Sequence, residues 1–221
     1  ADLQKALDLK PRSITDYNLL VDGYLRAGKA DEAIKRLEAL AAENPKALQQ
    51  RMLRNLLLEK QERFEEAAGG YQRLVDEFPE FVPALNNLAY LYSRKPDRLP
   101  EAETMARRAL AMAESDPAVA DTLGWILVTQ GGEAKLREGL TLIKGAAAGS
   151  DNPEIQYHLA VALSRTGTRE EARKILANAL ASDPQFNGVE DARTLLAGLS
   201  GTGAGMDGLS LAQLERSEEH T

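Results

Sequence analysis

Two stretches far apart in the chain share one spaced pattern. In YNLLVDGYLRAGKADEAIKRLEALAAENP the pattern falls on Leu20, Tyr24, Gly28, Ala33, Leu37, Leu40 and Pro45. In YHLAVALSRTGTREEARKILANALASDP the same offsets carry Leu159, Leu163, Gly167, Ala172, Leu176, Ala179 and Pro184. A fixed period of this length constrains the fold more than any local signal does. Each copy is one supersecondary unit that cannot bury its apolar stripe alone, so copies must stack. The pattern tiles the chain at 14–47, 48–81, 82–116, 117–152 and 153–186. The third and fourth copies carry small insertions, at RKPDRLP and QGGEAKLREG.

Each copy predicts two helices. Apolar residues recur at helical spacing in the first, for example Ala120, Leu123, Gly124 and Leu127. Asp116-Pro117 and Asn152-Pro153 place an N-cap before a proline at the first helical position. Small residues stand where the two helices cross: Ala89, Gly124 and Ala160 on the first, Ala33, Ala67, Ala102 and Ala172 on the second. In the fourth copy either Glu138 or Gly139 could take the small-residue position. The second copy departs most, with Arg54 and Asn55 at positions that should be apolar and small, and Met52, Leu53, Leu56 and Leu57 forming a rotated stripe. A local register adjustment is the expectation there, with an exposed apolar binding patch as the alternative.

The composition agrees with an all-α chain. It is 43% hydrophobic but only 5% aromatic, so burial must come from Leu, Ala and Ile rather than from rings. A formal charge of −7 argues against a nucleic-acid binder, which needs a basic face. The absence of cysteine excludes disulfides, thiolate catalysis and zinc–thiolate sites. No apolar run approaches the ~20 residues of a membrane-spanning helix.

The repeated pattern resembles the tetratricopeptide repeat, a helix–turn–helix unit of about 34 residues. The resemblance implies a right-handed α-α superhelix of about five repeats plus a capping helix, VEDARTLLAGL, within 187–199. ALDLKP within residues 1–13 matches the end of a preceding second helix, so the chain is expected to begin inside a repeat. Residues 200–221 read either as a disordered tail or as a Gly-rich linker and a short tail helix, SLAQLERSEE, through which the chain could self-associate.

The resemblance further implies that the first helix of each repeat lines a concave groove. Carried onto this sequence, its groove positions give Asn86, Asn87, Tyr90 and Arg94 in the third repeat, Asp121, Trp125 and Val128 in the fourth, and Tyr157, His158, Val161 and Arg165 in the fifth. An aromatic row of Tyr90, Trp125 and Tyr157, flanked by Asn86, Arg94, Asp121 and Arg165, suits an extended peptide, offering stacking area with amide and charge partners. Trp125, the single tryptophan, could equally pack on the neighbouring helix and show only an edge. The Lys/Asn pair by which one class of co-chaperones clamps a carboxylate is not present; its positions in the first repeat read Asn18 and Asp22.

Catalytic signals are weak. Glu154 and His158 share a helix face, but two candidate ligands do not make a metal site. GTGAG from Gly201 follows no strand and opens no phosphate-binding helix. No cofactor, metal or catalytic residue is assigned. The function expected is a non-enzymatic scaffold that binds a peptide or partner protein.

DPAVADTLGWILVTQGG and DNPEIQYHLAVALSRTGTREEARKIL resemble the C-terminal repeats of bacterial PEP-CTERM/exosortase-system lipoproteins with tetratricopeptide repeats, over roughly residues 82–199. That resemblance implies a lipid-anchored parent at the periplasmic side of the outer membrane, within an exopolysaccharide or protein-sorting assembly; a cytoplasmic location stays open. Two alternatives also stay open. The repeats could present substrates to a larger enzyme such as a glycosyltransferase, or they could be a self-assembly module.

Overall fold

The computed structural model describes residues 14–44 and 46–201. The expectations for residues 1–13 and for the tail from residue 202 onward lie outside the described residues. Among those described, every regular element is helical. The chain divides into two compact units, one ending at Glu114 and the other starting at Ser115.

The first unit contains α1 (Ile14–Arg26), α2 (Ala30–Glu43), α3 (Leu48–Lys60), α4 (Phe64–Glu77), α5 (Val82–Ser93) and α6 (Leu99–Met112). Each packs on the next, and α1 also reaches α3. The RKPDRLP insertion forms a 3-10 turn, Pro96–Arg98, between α5 and α6. The second unit contains α7 (Pro117–Gln130), α8 (Glu133–Ala148), α9 (Pro153–Arg165), α10 (Arg169–Ser182) and α11 (Val189–Ser200). Again consecutive helices pack, α7 also touches α9, and α11 closes on α10 through the buried Ala192.

Local chemistry explains these boundaries. The side chain of Asp116 accepts a hydrogen bond from Ala118 N, and that of Asn152 accepts one from Glu154 N, each at 2.9 Å. Each thereby satisfies one of the amides that a helix start leaves without a partner. The turns between paired helices need a left-handed residue, which glycine supplies at Gly28 and Gly167. In the second repeat the same turn position is Glu62, held at φ 59°.

The crossing points are closely packed. Ala89 and Ala102 are fully buried where α5 meets α6, as are Ala160 and Ala172 where α9 meets α10. On α7 and α8 the approach is closer still. A Cβ on Gly124 would lie 2.6 Å from Ile143 Cγ1 and 2.9 Å from Gly139 O, and one on Gly139 would lie 2.7 Å from Gly124 O. Gly139, not the exposed Glu138, is therefore the small residue of this crossing.

The second repeat solves the same problem by exchange. Asn55 on α3 is buried, and a Cβ on the facing Gly70 of α4 would stand 2.0 Å from Asn55 Oδ1. The small residue has moved to the second helix, and the larger one fills its space. Arg54 projects sideways to Glu38 on α2, with Nη2 2.8 Å from Oε1. Met52 and Leu56 are buried, so the apolar patch considered for this repeat is not exposed.

Candidate functional site

Asp121 and Trp125 stand four residues apart on α7, and this spacing puts both on one face of the helix. Tyr157 and His158 occupy the facing part of α9. Contact between α7 and α9 brings all four together in the second unit. The His158 ring lies under the Trp125 indole, with centroids 4.2 Å apart and planes 19° from parallel. Tyr157 tilts against both rings, at 5.9 Å from Trp125 and 5.6 Å from His158. Trp125 is half-buried while Tyr157 and His158 are buried, so the tryptophan both packs on its neighbour and keeps an exposed part.

Beneath the rings lies a buried carboxyl–imidazole contact. His158 Nδ1 donates to Asp121 Oδ2 at 2.8 Å, across a sequence separation of 37 residues. Burial alone would push the imidazole toward its neutral form, but the charge of Asp121 and the hydrogen bond to it outweigh that and hold its pKa above the usual histidine value. Burial also raises the Asp121 carboxyl, against the pull of His158. The second carboxylate oxygen, Oδ1, is buried without a hydrogen-bond partner.

Arg165 sits at the far end of α9, where its Nη1 donates to Val128 O at 2.6 Å. It ties the C-terminal ends of α9 and α7 together, and burial lowers its pKa. Two contributors to the site are absent from the residues that the sequence pattern points to. Phe186 meets Tyr157 at a centroid distance of 6.1 Å. Gly188, at φ +86°, brings its backbone close enough that a Cβ would sit 3.1 Å from Tyr157 Cε1. The turn dipeptide Asn187-Gly188 is the sequence signal that could have pointed there. Asn187 itself donates to Glu154 Oε1 at 2.9 Å, so the Glu154–His158 pair is divided between two other partners.

In the first unit, Asn86 and Tyr90 lie along α5 and Arg94 caps its C-terminal end. Asn86 is buried and donates to Asn87 Oδ1 at 3.3 Å; Asn87 in turn donates to the Tyr71 hydroxyl at 3.2 Å. Tyr71 passes the chain on to Glu59 Oε2 at 3.1 Å. Burial, with the charge of Glu59 adding to it, drives the Tyr71 hydroxyl well above its ordinary pKa. Tyr90 is half-exposed and Arg94 exposed, its guanidinium 4.1 Å from the Phe64 ring centroid. Among the described residues no group of three metal-ligating side chains converges. None of their helices is long and apolar enough to cross a membrane.

Comparison with known proteins fits this architecture. The sequence model of the tetratricopeptide repeat family matches residues 18–80 and 56–117. A TPR repeat-containing protein of Pseudomonas aeruginosa is 25% identical over 173 residues, which is 62% of this chain but only 29% of that relative. Among solved structures, a thermophilic TPR protein of Thermus thermophilus superposes with a TM-score of 0.64 at 20% identity, covering 85% of this chain and 98% of that one. PilW, a widely conserved type IV pilus biogenesis factor, gives 0.61 at 13% identity and covers 96% of each chain.

Proposed function

The chain carries tetratricopeptide repeats, and from that premise we propose that it is a non-enzymatic scaffold holding a peptide or partner protein at the Trp125 face of α7 and α9 in its second unit. One observation carries the reading. Trp125 offers a half-exposed indole backed by a fixed stack of His158 and Tyr157, so its contact face is already ordered before a partner arrives. Ordering a large ring in advance removes much of the entropy cost of binding, and such rings dominate binding energy when they dock. Asp121, Tyr157, His158 and Arg165 hold that ring and its surroundings in place. In the first unit, Tyr90 and Arg94 offer a second aromatic-plus-cation pair, with Asn86 behind them.

We assign this scaffold to a bacterial envelope assembly concerned with exopolysaccharide or protein sorting. The likeness to a type IV pilus biogenesis factor and the resemblance to exosortase-system repeats support that setting. The test is capture of partners from envelope extract by the wild-type chain and by Trp125→Ala. Capture of the main partner should fall about tenfold, equivalent to about 1.4 kcal/mol, while far-UV circular dichroism stays helical. Undiminished capture by a folded Trp125→Ala variant would overturn the assignment.

A further inference from the structure

We propose that Trp125, His158 and Asp121 form a proton-operated latch between α7 and α9. With His158 protonated the two helices are clamped together; when it loses that proton the clamp slackens. The inference is separate from the binding reading, because testing it needs no partner.

The geometry supports it in three ways. First, His158 is the group that joins the helices here, bonded to Asp121 below and stacked on Trp125 above. An imidazolium in that place is both a counter-charge for the carboxylate and a cation on the indole face, whereas a neutral imidazole is neither. Second, Asp121 has no substitute. Its Oδ1 is buried without a hydrogen-bond partner, and the other charge acting on it is that of Glu154, which repels it. Arg165 is engaged with Val128 O at the other end of α9. Third, the buried residues of the helices packed on either side of α9 are uncharged: Gly139, Ile143 and Ala146 on α8, and Ala172, Leu176 and Ala179 on α10. The charged groups around His158 are thus Asp121 on α7 and Glu154 on α9, both acidic.

The direction of the pH effect follows. The folded chain holds the His158 proton more tightly than the unfolded chain, in which an ordinary histidine titrates near about 6.5. The extra stability is complete below that value and is lost as pH rises through the folded-state pKa. The raised Asp121 carboxyl adds an effect of the same sign at lower pH, since it too binds its proton more tightly when folded.

Three measurements on the full chain test this. The ring-proton NMR signal of His158, one of only two histidines, gives its titration directly. Trp125 emission reports the stack, because an imidazolium in contact with indole quenches it. Urea unfolding at several pH values gives the linkage. We expect His158 to titrate above the ordinary value and emission to rise with the same midpoint. The unfolding equilibrium constant should grow by up to about tenfold per pH unit between the two pKa values. In His158→Gln the emission change should vanish, and in Asp121→Asn the His158 midpoint should fall. An imidazole titrating at or below its ordinary value overturns the latch, and that measurement stands even where His158→Gln does not fold. So does an emission change that persists in a folded His158→Gln, or a midpoint that Asp121→Asn leaves in place.

Discussion

Replacing Gly124 with alanine sets two opposed effects against each other. In an ordinary helix interior the change is favourable by about 1 kcal/mol, since alanine loses less backbone freedom on folding. Here the new methyl would stand 2.6 Å from Ile143 Cγ1 and 2.9 Å from Gly139 O. Ile143 is fully buried and has little room to turn away, and the Gly139 oxygen belongs to the backbone of α8. The helices must therefore separate, which costs about 1–3 kcal/mol in a well-packed interior, partly because dispersion attraction between the surrounding side chains weakens as the gap opens. The expected net result is a destabilisation of up to about 2 kcal/mol. Gly145→Ala is the matched control, because Gly145 lies exposed on α8 with nothing within 4 Å of a new Cβ. That variant should gain up to about 1 kcal/mol. Equilibrium urea unfolding followed by Trp125 emission reads both, since the tryptophan lies in the same unit. If Gly124→Ala proves as stable as Gly145→Ala, the two backbones do not touch and the close crossing of α7 and α8 is refuted.

Other outcomes follow from the same packing. Glu62→Gly should stabilise the first unit by about 1 kcal/mol, because Glu62 occupies a left-handed turn position at φ 59°; an unchanged thermal midpoint would count against strain there. Gly70→Ala should destabilise by about 1–3 kcal/mol through collision with Asn55, and adding Asn55→Ala should recover much of it. A double-mutant cycle with no coupling between these two sites would refute the exchange of small residues.

Much of the fold is legible in the sequence because its signals are local. The capping residues Asp116 and Asn152, the turn glycines and the alanines at the crossings each act within one helix or one turn, so spacing alone reveals them. The choice between Glu138 and Gly139 is not legible, because both sit at the right period and only the approach of α7 decides between them. Asn55 misleads for a related reason. A polar residue at a small-residue position suggests a turned helix, unless its counterpart Gly70 is read together with it. At the site, Asp121, Trp125, Tyr157 and His158 can each be picked out by position. That Asp121 and His158 bond to each other cannot, since nothing in either helix alone distinguishes an outward side chain from one meeting its neighbour. Phe186 and Gly188 lie in the turn before α11, one at the last position of the final copy of the repeated pattern and the other just beyond it.

The exchange between Asn55 and Gly70 also bears on how such chains can diverge. At the crossing of α3 and α4 the two positions share one volume, the Asn55 side chain filling the space that Gly70 leaves open. A lineage can therefore drift from small-facing-small to large-facing-nothing, provided the two substitutions occur together. Tolerance at one position is then set by its opposite number, so a variant harmless in one relative can be damaging in another that differs only across the interface.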